Sequence, residues 1–176
     1  MRRRPGRLLA AAVTVSAGMS VTPPAQAAMM RFEDRRGDAG GRMDIEWVSV
    51  DNGRPLTIII KHRDLTRSTA EAGAFIDVQP GAGPEYLVNG GVYDSDYQLS
   101  RANGWRPGNE PLNCPVIMTP NFRRDTVTYQ ISRRCLSTGT GAATGVRVAA
   151  IARVPGLRTD WAPGYRRWSS WVRDTP

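Results

Sequence analysis

The sequence predicts an all-β fold, a single antiparallel β-sandwich that is jelly-roll-like, with one disulfide and a tryptophan-rich C-terminal strap. Three observations carry this reading. Roughly seven or eight short runs are alternating or β-branched, with turn signals every ~8–12 residues between them. No segment sustains the 3.6-residue apolar period of an amphipathic helix. Gly and Pro make up 31 of the 176 residues, above the usual ~12% but short of the ~25–30% of a low-complexity chain.

The first 27 residues read as an address rather than as fold. Met1-Arg2-Arg3-Arg4-Pro5-Gly6-Arg7 is cationic, residues 8–21 are largely apolar, and Ala25-Gln26-Ala27 is a small-x-small cleavage site. This is the layout of a Sec-type signal peptide cleaved after Ala27. The apolar run is shorter than the ~20 residues a membrane helix needs. Cleavage leaves no integral membrane segment and predicts a secreted, extracellular protein. It also changes the charge. The whole chain carries +8, but four arginines and no acid leave with the signal, so the remaining 149 residues carry +4. Without a clustered basic stripe, that balance argues against a nucleic-acid partner. Lys61 is the only lysine among 24 cationic residues, a bias that GC-rich coding explains.

The elements follow in order. Residues 28–42 are polar and glycine-rich, a flexible lead-in. A sandwich domain is expected over 43–155. Its first strand, 43–50, alternates through Met43, Ile45 and Trp47. Asp51-Asn52-Gly53-Arg54-Pro55 makes the turn into a β-branched strand at 56–62. Residues 63–71 fit a loop or short helix. A third strand covers 73–79 and a fourth 85–89, where Gly90-Gly91 breaks it. Val92-Tyr93 with Tyr97-Gln98-Leu99 makes a fifth. Residues 103–111 form a Gly/Pro-rich loop carrying Trp105. Strands at 116–118 and 126–131 flank the turn 121–125, and the last strand is 145–153, with Val146, Val148, Ala150 and Ala152 on one face.

Cys114 and Cys135 are the only cysteines, and an oxidising compartment favours joining them. The bridge would sit at the open end of the 116–131 hairpin. The loop it closes is 22 residues counting both ends, worth about 3 kcal/mol by loop-closure entropy. The strap, 156–176, holds Trp161, Trp168 and Trp171. It is expected to pack these on the sandwich and close an edge, with Trp168 and Trp171 brought to one side by a short helical turn. The competing reading is an aromatic platform for a ligand.

The residues give little sign of catalysis. His62 is the only histidine and is expected at the surface. The chain has no Gly-x-Ser-x-Gly elbow and no phosphate loop, so the protein is read as non-enzymatic. No cofactor is expected, with one reservation: Asp34, Asp38 and Asp44, in an Asp/Gly-rich stretch, suit a calcium ion's need for several oxygens. Asp94 and Asp96 fit a plain turn better.

The run Asp34-x-x-Gly37-Asp38-Ala39, followed by Asp44-Ile45, resembles the opening of β-sandwich modules related to carbohydrate-binding family 9 and DOMON-like domains. Phe75-Ile76-Asp77-Val78 and Gly83-Pro84-Glu85-Tyr86-Leu87-Val88 look like their middle strands. Arg133-Arg134-Cys135-Leu136 and Asp160-Trp161-Ala162-Pro163 look like small exported proteins of high-GC Gram-positive bacteria. The resemblance implies a non-catalytic sandwich that binds a ligand. The expected function is therefore an exported binding module for extracellular or cell-wall polysaccharide, with Trp105, Trp161, Trp168 and Trp171 as its aromatic candidates. The alternative is an extracellular protein partner, met in protease-inhibitor fashion by the Cys114–Cys135 segment with Arg123 and Arg124 at the turn tip.

Overall fold

The computed structural model describes residues 29–39, 41–81, 83–93, 96–138 and 141–174. Residues 1–28, where the signal peptide is expected, and Asp94 lie outside them. In chain order the strands are β1 (Met29–Glu33), β2 (Ile45–Asp51), β3 (Leu56–His62), β4 (Glu71–Asp77), β5 (Tyr86–Gly91), β6 (Tyr97–Ala102) and β7 (Pro107–Pro111). They continue as β8 (Val116–Asn121), β9 (Thr126–Ile131), β10 (Ser137–Thr138), β11 (Gly141–Ala142), β12 (Gly145–Arg153), β13 (Asp160–Ala162) and β14 (Val172–Arg173), with a 3₁₀ turn at Arg133–Cys135. No helix among the described residues is long and apolar enough to cross a membrane.

Two antiparallel sheets face each other. The first runs β1-β2-β3-β9-β8 and the second β13-β12-β4-β5-β6-β7, with β14 also pairing β12. β3 shows why they stack. Leu56, Ile58, Ile60 and His62 are buried while Thr57, Ile59 and Lys61 are half-buried, the period-2 pattern of a strand with one covered face. Each isoleucine taken out of water contributes roughly 1.5–3 kcal/mol. Ala72, Ala74, Ile76, Val88, Leu99, Val148 and Ala150 meet them from the second sheet. The small alanines of β4 and β12 leave room for Tyr129 of β9, whose hydroxyl donates to the Ala72 carbonyl at 2.7 Å. That bond gives the buried phenol its partner.

The Cys114–Cys135 disulfide is formed, with Cα atoms 5.9 Å apart. It ties the chain before β8 to the chain after β9, as the hairpin reading required. Beside it, Arg133 donates to the Asn52 side-chain oxygen and the Ala143 carbonyl and pairs with Asp174 at 3.6 Å. Asn52 in turn donates to the Val172 carbonyl at 2.8 Å. This clasp fastens β14 to the disulfide end of the sandwich.

Several elements differ from expectation. The lead-in is in part a strand: Met29–Glu33 pairs with β2. The loop 103–111 contains β7, a proline-bounded edge strand held to β6. Residues 63–70 are a loop without a helix, the first of the two readings given for that stretch. Gly90 and Gly91 do not break β5 but belong to it. A Cβ on Gly90 would lie 2.5 Å from the Tyr97 Cβ and 2.6 Å from the Met118 sulfur, so glycine lets neighbouring chains close in. The strap contributes strands β13 and β14 rather than lying wholly outside the sheets. His62 is not at the surface. It is fully buried, with Nδ1 3.0 Å from the Met43 carbonyl; burial, opposed by that carbonyl, lowers its pKa to about 4.

Candidate binding site

The tryptophans decide what the outer face of the second sheet becomes. β13 lies beside β12 with Trp161 opposite Ile151. The Trp161 ring stacks on Phe75, centroids 5.6 Å apart and planes 3° from parallel. Trp105 meets both rings edge-on, at 5.3 and 5.6 Å, and Trp168 leans on Trp105 at 4.6 Å. With Leu87, Ala149 and Ile151 these form a second small core. The stacked and edge-on geometries are those that aromatic quadrupoles favour.

Trp168 and Trp171 do not form a helical turn. Residues 167–171 run irregularly along β12: the Ser169 N–H donates to the Val148 carbonyl at 2.9 Å, and the Val148 N–H donates to Ser169 Oγ at 3.0 Å. The two rings instead flank the Arg147 guanidinium, 5.0 and 4.9 Å from its Cζ. Arg147 also pairs with the fully buried Asp77 at 2.5 Å. The expected edge closure is therefore present, and Trp168 and Trp171 serve it.

Trp105 is half-buried and Trp161 is 9% exposed. With Tyr165 they wall a cavity of about 410 Å³ whose rim carries Arg106, Arg153, Arg158 and Arg166. Local turns set these groups. The Asn103 N–H donates to the Arg106 carbonyl at 3.0 Å, closing the β6–β7 turn under Trp105. Gly164, at φ 130, takes a backbone conformation that only glycine holds readily; it lets Tyr165 fold back edge-on to Trp161 at 5.5 Å. Tyr165 is 61% exposed, and the Arg166 guanidinium lies 5.0 Å from its ring centre. Arg153 pairs weakly with Glu71 at 3.9 Å. Arg106, Arg158 and Arg166 have no ion-pair partner among the described residues. Sequence reading found Trp105 and Trp161 but missed the arginines, because they are scattered over the end of β12 and three separate connections.

A second chemistry adjoins this cavity. Carboxylate oxygens of Asp34, Asp38 and Asp160 lie within 4.8 Å of one another. Asp160 replaces Asp44 in the expected trio. Asp44 is turned aside, because both of its oxygens accept from the Gly37 N–H at 3.0 and 2.8 Å. Asp160 comes in because β13 registers on β12, and it is held by the N–H groups of Ile45 at 2.6 Å and Trp161 at 2.8 Å. Burial and then the Asp160 and Asp38 charges push the Asp34 pKa up to about 7. Burial, partly offset by those two N–H groups, pushes Asp160 to about 6. Three oxygens so close are the donor type that holds a divalent cation such as calcium.

Arg123 and Arg124 stand exposed at the β8–β9 tip. Both N–H groups bond Asn121 Oδ1 at 3.1 Å, and Asp125 closes the turn at φ 51. The disulfide sits at the opposite end of this hairpin, so it does not brace the tip. A tight turn also lacks the extended backbone that an inhibitor loop offers. Compared with known proteins, the chain matches no family model and no curated sequence.

Proposed function

We propose that the chain is an exported, non-enzymatic module that binds an acidic polysaccharide in the Trp105–Trp161–Tyr165 cavity. The observation that carries this is the ring of four guanidiniums around an aromatic wall, three of them without an ion-pair partner among the described residues. A pyranose ring presents an apolar C–H face to an aromatic side chain. A carboxylate on that ring accepts a two-pronged bond from a guanidinium, which a lysine does not offer. The export-type segment and the resemblance to carbohydrate-binding sandwiches support the same reading. The non-enzymatic part rests on His62, which is buried away from any substrate, and on the missing nucleophile motifs.

Affinity electrophoresis tests it. Mobility should fall in gels containing polygalacturonate and not in gels containing dextran. Arg106→Ala with Arg158→Ala should abolish the retardation. Arg123→Ala with Arg124→Ala removes the same charge at the far tip and should leave it. Equal retardation in the two double variants would reduce the effect to net charge, and no retardation of the wild type would end the proposal.

A further inference from the structure

A second cavity lies on the same outer face. It encloses about 350 Å³ and is lined by Glu71, Asn89, Gly91, Tyr93, Asp96 and Gln98, among others. We propose that it is a neutral-sugar subsite, and that with the arginine cavity it forms one groove for a polymer containing both acidic and neutral sugars. The polymer rests on the reading above; the neutral subsite does not.

The sheet register puts the two cavities on one face. Arg153, Glu71 and Gly91 stand opposite one another on β12, β4 and β5. One step along, Trp161, Ile151, Gly73, Asn89 and Gln98 form a row across five strands. At the usual strand spacing that row is about 19 Å long. The Arg153–Glu71 pair, at 3.9 Å, is the seam, since Arg153 rims one cavity and Glu71 lines the other. Gly73 and Gly91 place no side chain on the floor, and a Cβ on Gly91 would meet nothing within 4 Å.

The lining chooses the ligand class. Asn89 Oδ1 is buried without a hydrogen-bond partner, a state that favours a ligand bringing a donor. Glu71 and Asp96 supply further acceptors, and Gln98 supplies an amide that both donates and accepts. Sugar hydroxyls complement such a set. Tyr93, 63% exposed at the rim, offers an aromatic face to the ring. The two carboxylates repel an acidic sugar, whereas the neighbouring cavity attracts one through its arginines. The two ends of the groove therefore select opposite sugar types.

Amide chemical shifts of the whole chain test this. Maltotetraose, cellotetraose and chitotetraose are the neutral probes, tetragalacturonate the acidic one, and a hyaluronan hexasaccharide the mixed one. At least one neutral probe should move Gly91, Tyr93 and Gln98 and leave Arg106 and Arg158 still. The mixed probe should move both groups. Gln98→Ala, on an exposed position, should weaken the mixed probe about tenfold, the scale of one or two lost polar contacts, and leave tetragalacturonate unchanged. If neither the neutral probes nor hyaluronan moves the Gly91 group, the subsite is refuted. If tetragalacturonate fails to move Arg106 and Arg158 while a neutral probe moves Gly91, the acidic-polysaccharide reading and the mixed groove fall and the neutral subsite stands.

Discussion

The two sheets have opposite outer faces. On the first, rows such as Arg31, Ser49, Ile59, Thr128 and Thr119 run across all five strands, and these side chains are half-buried or exposed. On the second, Phe75, Leu87, Ala149 and Ile151 lie under Trp105, Trp161 and Trp168. The burial strings differ accordingly. β3 alternates strictly, whereas β4 is buried from Ala72 to Asp77. A strand that stops alternating has something packed on both faces. Here the second cover is supplied by a loop and by residues 160–171, and both proposed subsites lie along it.

That contrast makes the largest prediction. Phe75→Ala should cost about 3–5 kcal/mol in urea denaturation, because its ring is fully buried under the tryptophans. Ile59→Ala, on the open face, should cost under about 1 kcal/mol. Equal losses would mean that the two outer faces do not differ energetically. The first sheet has a covalent fastening instead of an aromatic one. Cys114→Ser with Cys135→Ser should lower stability by about 3 kcal/mol, read by the same denaturation.

Gly90→Ala probes the contact between the sheets rather than their outer faces. Its new methyl would meet the Tyr97 Cβ and the Met118 sulfur, so a loss of about 1–3 kcal/mol is expected. Gly91→Ala has open space above it and should be nearly neutral. The smallest effect concerns the seam between the sheets, where Asp34 meets Asp160. Folded, Asp34 keeps its proton up to about pH 7, against an ordinary 3.8. The folded chain therefore holds more protons than the unfolded one across that interval, and this group's contribution to stability falls as pH rises through it. Asp34→Asn should gain on the wild type between pH 4 and pH 8 in thermal melts; a constant difference would show that Asp34 ionises normally.

Much of this was legible in the residues. The alternation of β3, the bridging of the only two cysteines and the packing of the strap's tryptophans all follow from local pattern or simple counting. What was not legible depends on partners remote in sequence. β7 reads Pro-Gly-Asn-Glu-Pro, with no apolar period, and is a strand only because β6 offers it backbone bonds. Gly90 looks like a breaker until Tyr97 and Met118 are placed against it. Asp160 joins Asp34 and Asp38 through the register of β13 on β12, and no spacing along the chain encodes that. Arg106, Arg153, Arg158 and Arg166 share a cavity for the same reason.

The position of the cover along the chain has a consequence for synthesis. Residues 160–174 carry β13, the Trp168–Trp171 pair around Arg147, and the strand that the Arg133 clasp receives. A nascent chain that has reached only residue 155 already contains every strand of the first sheet and most of the second. It has only Trp105 to lay against Phe75 and still lacks Trp161 and Trp168. The aromatic layer cannot close until these last pieces dock, so a chain without them carries a partly covered apolar face.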